Sequence, residues 1–198
     1  GAVSSYTFTN VTAGHAVGAG GAENSYTCAS RAGSGDAISP SGNQTVNCGA
    51  NQTFTITPDG CHTIASVLVD GVSVGAVSSY TFTNMTTGHT IAASFTLNTR
   101  TIAASAGPDG SISPNGNASV ECGTNQLFTI TPGEHYHVAD VLVDGASVGA
   151  VTSYTFTNVT GAHTISAAFA IDTYAITASA GANGSVSPTS ATNTYEVP

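Results

Sequence analysis

The decapeptide Gly1-Ala2-Val3-Ser4-Ser5-Tyr6-Thr7-Phe8-Thr9-Asn10 recurs at Gly75 to Asn84 and, with Thr152 in place of a serine, at Gly149 to Asn158, each step 74 residues long. The same offset links Ile38-Ser39-Pro40 to Ile112-Ser113-Pro114 and Val186-Ser187-Pro188. It also links Val67-Leu68-Val69-Asp70-Gly71 to Val141-Leu142-Val143-Asp144-Gly145, and Cys48-Gly49 to Cys122-Gly123. A constant offset without insertions requires every unit to occupy the same spatial frame. The chain is therefore expected to hold two complete repeat modules, at 24–98 and 99–172. A trailing half-unit (1–23) precedes them and a leading half-unit (173–198) follows. The first half-unit departs from the pattern after His15: Ala16-Val17-Gly18-Ala19-Gly20-Gly21 stands where the next copy has Thr90-Ile91-Ala92-Ala93-Ser94-Phe95, so its last strand reads as weak or differently used.

Within a unit the apolar residues fall at every second position. Thr53-Phe54-Thr55-Ile56-Thr57 puts Phe54 and Ile56 on one face and threonines on the other; Tyr80 with Phe82, and Ile91 with Ala93 and Phe95, follow the same rule. Alternation of this kind marks strands with one buried face. Asp70-Gly71 and Asp144-Gly145 lie between apolar runs and are read as type I′ hairpin turns, in which both central residues need positive φ. With 23 glycines and many β-branched residues, no stretch favours an ordinary helix. The expected fold is all-β: tandem small β-sandwich or β-grasp-like modules of about 74 residues with no substantial helix. About six strands are expected per unit, near 25–31, 44–47, 53–57, 64–69, 72–82 with a break, and 89–96.

The run from Ile112-Ser113-Pro114 through Val141-Leu142-Val143-Asp144-Gly145 to Ser153-Tyr154-Thr155-Phe156-Thr157-Asn158-Val159-Thr160 and His163-Thr164-Ile165 resembles the divergent internalin-type B-repeat, a bacterial repeat module. The resemblance covers nearly the whole chain, with the ends as partial copies. It implies a small β-rich module strung in tandem in secreted or surface proteins of bacteria, and it brings no catalytic residues.

Composition narrows the function. Only 7% of the residues are charged, the formal net charge is −9, and the two cations are Arg31 and Arg100, with no lysine. Nucleic-acid binding needs several cations to displace phosphate counterions, and a polybasic membrane contact needs the same. Schiff-base chemistry and lysine-based isopeptide crosslinks are excluded with the lysine. The longest apolar runs fall far short of a membrane span, so no membrane insertion is expected. Neither end reads as a signal peptide, as expected of a mature form or a piece of a longer chain.

Four cysteines, Cys28, Cys48, Cys61 and Cys122, allow three pairings. Cys48 and Cys61 flank the Phe54–Ile56 strand, and a disulfide between them is the expected clip for a unit with a small core. Cys122 repeats Cys48, but His135 stands where Cys61 would recur, and Cys28 replaces Ile102 and Ile176. Cys61-His62 alone is no zinc ligand set.

No catalytic, cofactor-binding or metal-ligating set is expected. His15, His89 and His163 share one repeat position with the same neighbours, which points to a requirement of the repeat itself. The unrepeated Glu134-His135-Tyr136-His137 is the one candidate ligand patch, since two imidazoles at alternate strand positions would share a face. The acids are scattered, without a calcium-loop cluster, and a chain with no Trp offers little for sugar stacking. Asn-x-Ser/Thr triplets at Asn10, Asn43, Asn51, Asn84, Asn117, Asn158 and Asn183 leave glycosylation open.

Two functions fit. The first is a non-catalytic extracellular or cell-surface structural repeat, a stalk, fimbria-like filament or surface layer, partnered by copies of itself head to tail. In it, the late half-unit of one molecule completes the early half-unit of the next. The two half-units together are shorter than one unit, so the composite would lack the Phe-Thr-Ile-Thr and Val-Asp-Gly strands. The alternative is an adhesin segment that binds a glycan or host protein through loops such as 134–137.

Overall fold

The computed structural model describes residues 3–18, 20–33, 36–188 and 190–194. Among them there is no helix, and hence no helix long and apolar enough to cross a membrane. The first module runs β1 (Ser25–Arg31), β2 (Ala37–Ser39), β3 (Gly42–Asn47), β4 (Gln52–Thr57), β5 (His62–Val69), β6 (Val72–Gly75), β7 (Ser79–Phe82) and β8 (His89–Leu97). The second repeats it as β9 (Thr99–Ala106), β10 (Gly110–Ser113), β11 (Gly116–Glu121), β12 (Gln126–Pro132), β13 (Tyr136–Val143), β14 (Ala146–Gly149), β15 (Ser153–Phe156) and β16 (His163–Ile171). A lone hairpin, β17 (Thr173–Thr177) with β18 (Ser190–Thr194), starts the next unit at the positions of β9 and β11.

Each module consists of two sheets. Five strands are ordered β3-β1-β8-β5-β6 and three are ordered β2-β4-β7; module 2 has β11-β9-β16-β13-β14 and β10-β12-β15. Neighbours are antiparallel except where β8 lies parallel to β1 and β16 to β9. The all-β, tandem-module architecture read from the sequence is the one observed.

The strand count differs. The stretch 72–82 is two strands, because β6 pairs with β5 in the large sheet while β7 pairs with β4 in the small one. The chain changes sheets after Gly75, whose φ of 85° turns it away. The short strand β2 escaped the alternation rule because it offers only Ile38 as a buried residue. The hairpin turns are as expected: Asp70 and Gly71 have φ of 50° and 81°, and Asp144 and Gly145 of 49° and 79°.

The alternating faces bury themselves between the two sheets. Phe54, Ile56, Phe82, Met85 and Ile91 form one core; Phe128, Ile130, Phe156, Val159 and Ile165 form the other, at equivalent positions. Phe54 and Phe82 meet edge to face at 6.1 Å between centroids, and Phe128 and Phe156 at 5.8 Å, a favoured quadrupolar arrangement. Cys28 lies in the first core where module 2 has Ile102; burial, with a smaller contribution from the Asp70 charge, pushes its thiol up from the ordinary value.

In the half-units the same side chains lie outside. Residues 3–18 form no strand, yet they keep the ring ladder of the modules: Tyr6 meets Phe8 edge to face at 5.0 Å and Phe8 stacks on His15 at 5.1 Å. Asn10 keeps the positive φ of Asn84 and Asn158. Tyr6 is 69% exposed and Val17 62%, whereas Ile91, the counterpart of Val17, is 1% exposed. Ile176 on β17 is 55% exposed, against 0% for its counterpart Ile102.

Candidate functional site

The two modules meet without a linker. β8 passes through the single residue Asn98 into β9, and that residue is clamped from both sides. Its N–H donates to the Cys61 carbonyl at 2.8 Å, and its own carbonyl accepts from the Cys122 N–H at 2.9 Å. The Thr63 hydroxyl donates to Asn98 Oδ1 at 3.3 Å, and the Arg100 guanidinium donates to the Gly60 carbonyl at 2.7 Å. The same segments are joined by a disulfide between Cys61 and Cys122, with a Cα separation of 5.4 Å and a sequence separation of 61.

This pairing replaces the expected Cys48–Cys61 clip. Cys48 and Cys61 stand at opposite ends of β4, a strand of six residues; at about 3.3 Å per residue it spans roughly 20 Å, whereas bridged Cα atoms lie within about 7 Å. Cys48 is free and exposed. Its N–H donates to the Asn24 carbonyl at 2.7 Å, as Cys122 does to Asn98, so Cys48 occupies in module 1 the position that faces the preceding unit in module 2.

The joint recurs after module 2 with different chemistry. Asp172 takes the place of Asn98, and its N–H donates to the His135 carbonyl at 2.8 Å. The disulfide has no counterpart there; instead His137 Nδ1 lies 2.9 Å from Asp172 Oδ1. This accounts for much of the candidate patch. His135 is not on a strand: it has φ of 68° in the turn before β13, so it and His137 do not share a strand face as alternation implied. His135 Nε2 lies 3.4 Å from Glu134 Oε1, Tyr136 is half-buried, and Glu134 and His137 are exposed.

Each module also contains a histidine–aspartate pair that sequence reading missed. Asp70 Oδ2 lies 2.7 Å from His89 Nδ1 while Oδ1 accepts the Thr90 N–H at 2.8 Å, and Asp144 with His163 and Thr164 repeats both distances. The His89 ring stacks on Phe82 at 4.7 Å. The pair was hidden because its members are 19 residues apart; only their common 74-residue repetition hinted at it. The hydrogen bond from the histidine, followed by the backbone N–H, holds both aspartates below their ordinary value of 3.8.

A carboxylate with a depressed folded-state pKa contributes stability above its unfolded value, and that contribution is lost as pH falls through the lower, folded value. Asp70→Asn and Asp144→Asn are therefore expected to destabilise at pH 5–7, with the deficit against the parent shrinking below about pH 3.8. Urea denaturation of both proteins across pH 2–7 checks this; a deficit that is constant with pH would contradict it.

A shallow depression of about 300 Å³ on module 1 is lined by Ala29, Arg31, Leu68, Gly71, Thr90, Ile91 and Ala92. Its polar side chains are one guanidinium and one hydroxyl, which is no acid–base or nucleophile–base set. Comparison with protein-family models, with curated proteins and with solved structures returns no match in any of the three.

Proposed function

We propose that this chain is a non-catalytic structural repeat of an extracellular or cell-surface protein, of the internalin B-repeat kind, whose modules are strung end to end. The half-units close against complementary half-units of another copy. The disulfide fits an oxidising, non-cytoplasmic compartment. The clamped one-residue joint suits a load-bearing stalk or filament, since it leaves little freedom between neighbouring modules.

The observation that carries the reading is the linker-free joint, where Asn98 is hydrogen-bonded to Cys61 on one side and to Cys122 on the other while the two cysteines are bridged. Side chains that the complete modules bury, such as Ile102, are exposed at their counterparts in the partial units, such as Ile176. The parallel ladder between β16 and β9 sets the register: His163 faces Ile102 and Thr164 faces Ala103. Transferred by the repeat, His15 of one molecule faces Ile176 of the next, and Val17 then covers Ala178.

Light scattering and negative-stain imaging over a concentration series test this. The expected result is a mass rising in steps with linear particles. Phe8→Ser or Ile176→Asp should weaken association by about tenfold or more, since each removes roughly 1.5–3 kcal/mol of apolar burial. Both side chains lie outside the module cores, so folding is unaffected. Compact monomers at high concentration would refute head-to-tail assembly.

A further inference from the structure

At three separate positions, module 1 departs from the repeat in a way that brings three ligating side chains together. Asp36 stands where the other copies have Gly110 and Gly184; Asp59 and His62 stand where module 2 has Gly133 and Tyr136. The carboxylates of Asp36 and Asp59 and a ring nitrogen of His62 each offer one donor atom, all within 4.8 Å of one another. Module 2 has no room for the same set: a Cβ on Gly110 would come within 2.3 Å of the Phe169 ring, and one on Gly133 within 2.7 Å of the Asp109 carbonyl.

The cluster differs from the other histidine–aspartate pairs in containing a second, buried acid. His62 Nδ1 lies 2.7 Å from Asp59 Oδ1 and 3.8 Å from Asp36 Oδ1. The Asp36 side chain is only 1% exposed. Its Oδ1 accepts the Asp59 N–H at 2.9 Å, while Oδ2 is buried with no hydrogen-bond partner among the described residues. Among the described residues neither arginine forms an ion pair with it. A buried carboxylate oxygen left unpaired is costly, and the Asp59–His62 pair does not account for it. The backbone orients the donors: Asp59 Oδ1 also accepts the Cys61 N–H at 2.8 Å, the kind of outer support that metal-binding carboxylates receive. Asp59 and His62 are part-exposed, which leaves an entry path.

We propose that Asp36, Asp59 and His62 form a binding site for a divalent transition-metal ion of the zinc class. Two carboxylates and one imidazole match the oxygen and nitrogen donors that such ions accept, with solvent completing the shell. The ion takes the place of the hydrogen between His62 Nδ1 and Asp59 Oδ1, with the neutral imidazole carrying its one proton on Nε2, and its two positive charges balance the two carboxylates. Cys61, which adjoins His62, is held in the disulfide and contributes no thiolate. The site lies in the loop that carries Gly60 and Cys61 to the intermodule joint, so an ion there would also brace that joint.

The test is titration of the full, oxidised chain with Zn²⁺ alone by calorimetry, in a Cys48→Ser background that removes the exposed thiol, and with Co²⁺ as a spectroscopic probe. The expected result is one ion per chain and a raised thermal midpoint. Asp36→Asn and His62→Gln, each checked for folding by circular dichroism, should weaken binding by about tenfold or more. Two results would overturn the proposal: no binding beyond that of the Asp36→Asn/His62→Gln double variant, or binding that survives these changes and disappears with His137→Gln.

Discussion

Breaking the Cys61–Cys122 bridge, by reduction or as Cys61→Ser/Cys122→Ser, is expected to lower stability by about 4 kcal/mol in the chain-entropy model for a loop of this size. The loop runs from the start of β5 to the end of β11, its ends separated by 61 in sequence, and therefore includes the second half of module 1 and about the first third of module 2. The bridge thus couples two cores that share no residues. Calorimetry of the bridged chain should show overlapping transitions, and of the unbridged chain two resolved ones at lower temperature. Removing Cys48 instead should leave the profile within about 0.5 kcal/mol of the parent, as for a surface change. A parent profile unaffected by reduction would show that the hydrogen bonds around Asn98 are sufficient to hold the joint.

Phe128→Ala has the other large effect. Phe128 is fully buried at the centre of the second core and packs against Phe156; truncating such a residue costs about 3–5 kcal/mol. A 74-residue unit at ordinary stability per residue holds only about 4–11 kcal/mol, so module 2 is expected to lose most of its margin. Its repeat-mate Phe54→Ala should do the same to module 1. Native-state hydrogen exchange checks both: protection should fall in the mutated module and persist in its neighbour. A fall shared equally by both modules would show a single cooperative unit.

The alternation of Phe54 with Ile56 and of Phe128 with Ile130 assigned the buried face of each strand correctly, because a side chain's face in a strand depends only on local pleating. The same holds for Asp70-Gly71, whose positive φ values are a property of two adjacent residues. The disulfide is the opposite case. Cys48 and Cys61 looked like partners by proximity in the chain, but a strand separates its ends, and Cys61 instead meets Cys122 across the joint. The pairing of His89 with Asp70 and the convergence of Asp36, Asp59 and His62 were invisible for a related reason: each joins residues whose separation in sequence follows no local rule. One clue was available, since Asp36, Asp59 and His62 all break the repeat within one module.

The sequence alone determined the all-β class, the 74-residue frame, the turn chemistry and the apolar faces, all of which follow from periodicity and from the φ preferences of single residues. Tertiary structure decided how the strands divide between two sheets, which strands run parallel, which cysteine meets which, and where carboxylates gather around an imidazole. Those depend on long-range chain closure, where contacts between distant segments compete on packing and geometry rather than on any local preference.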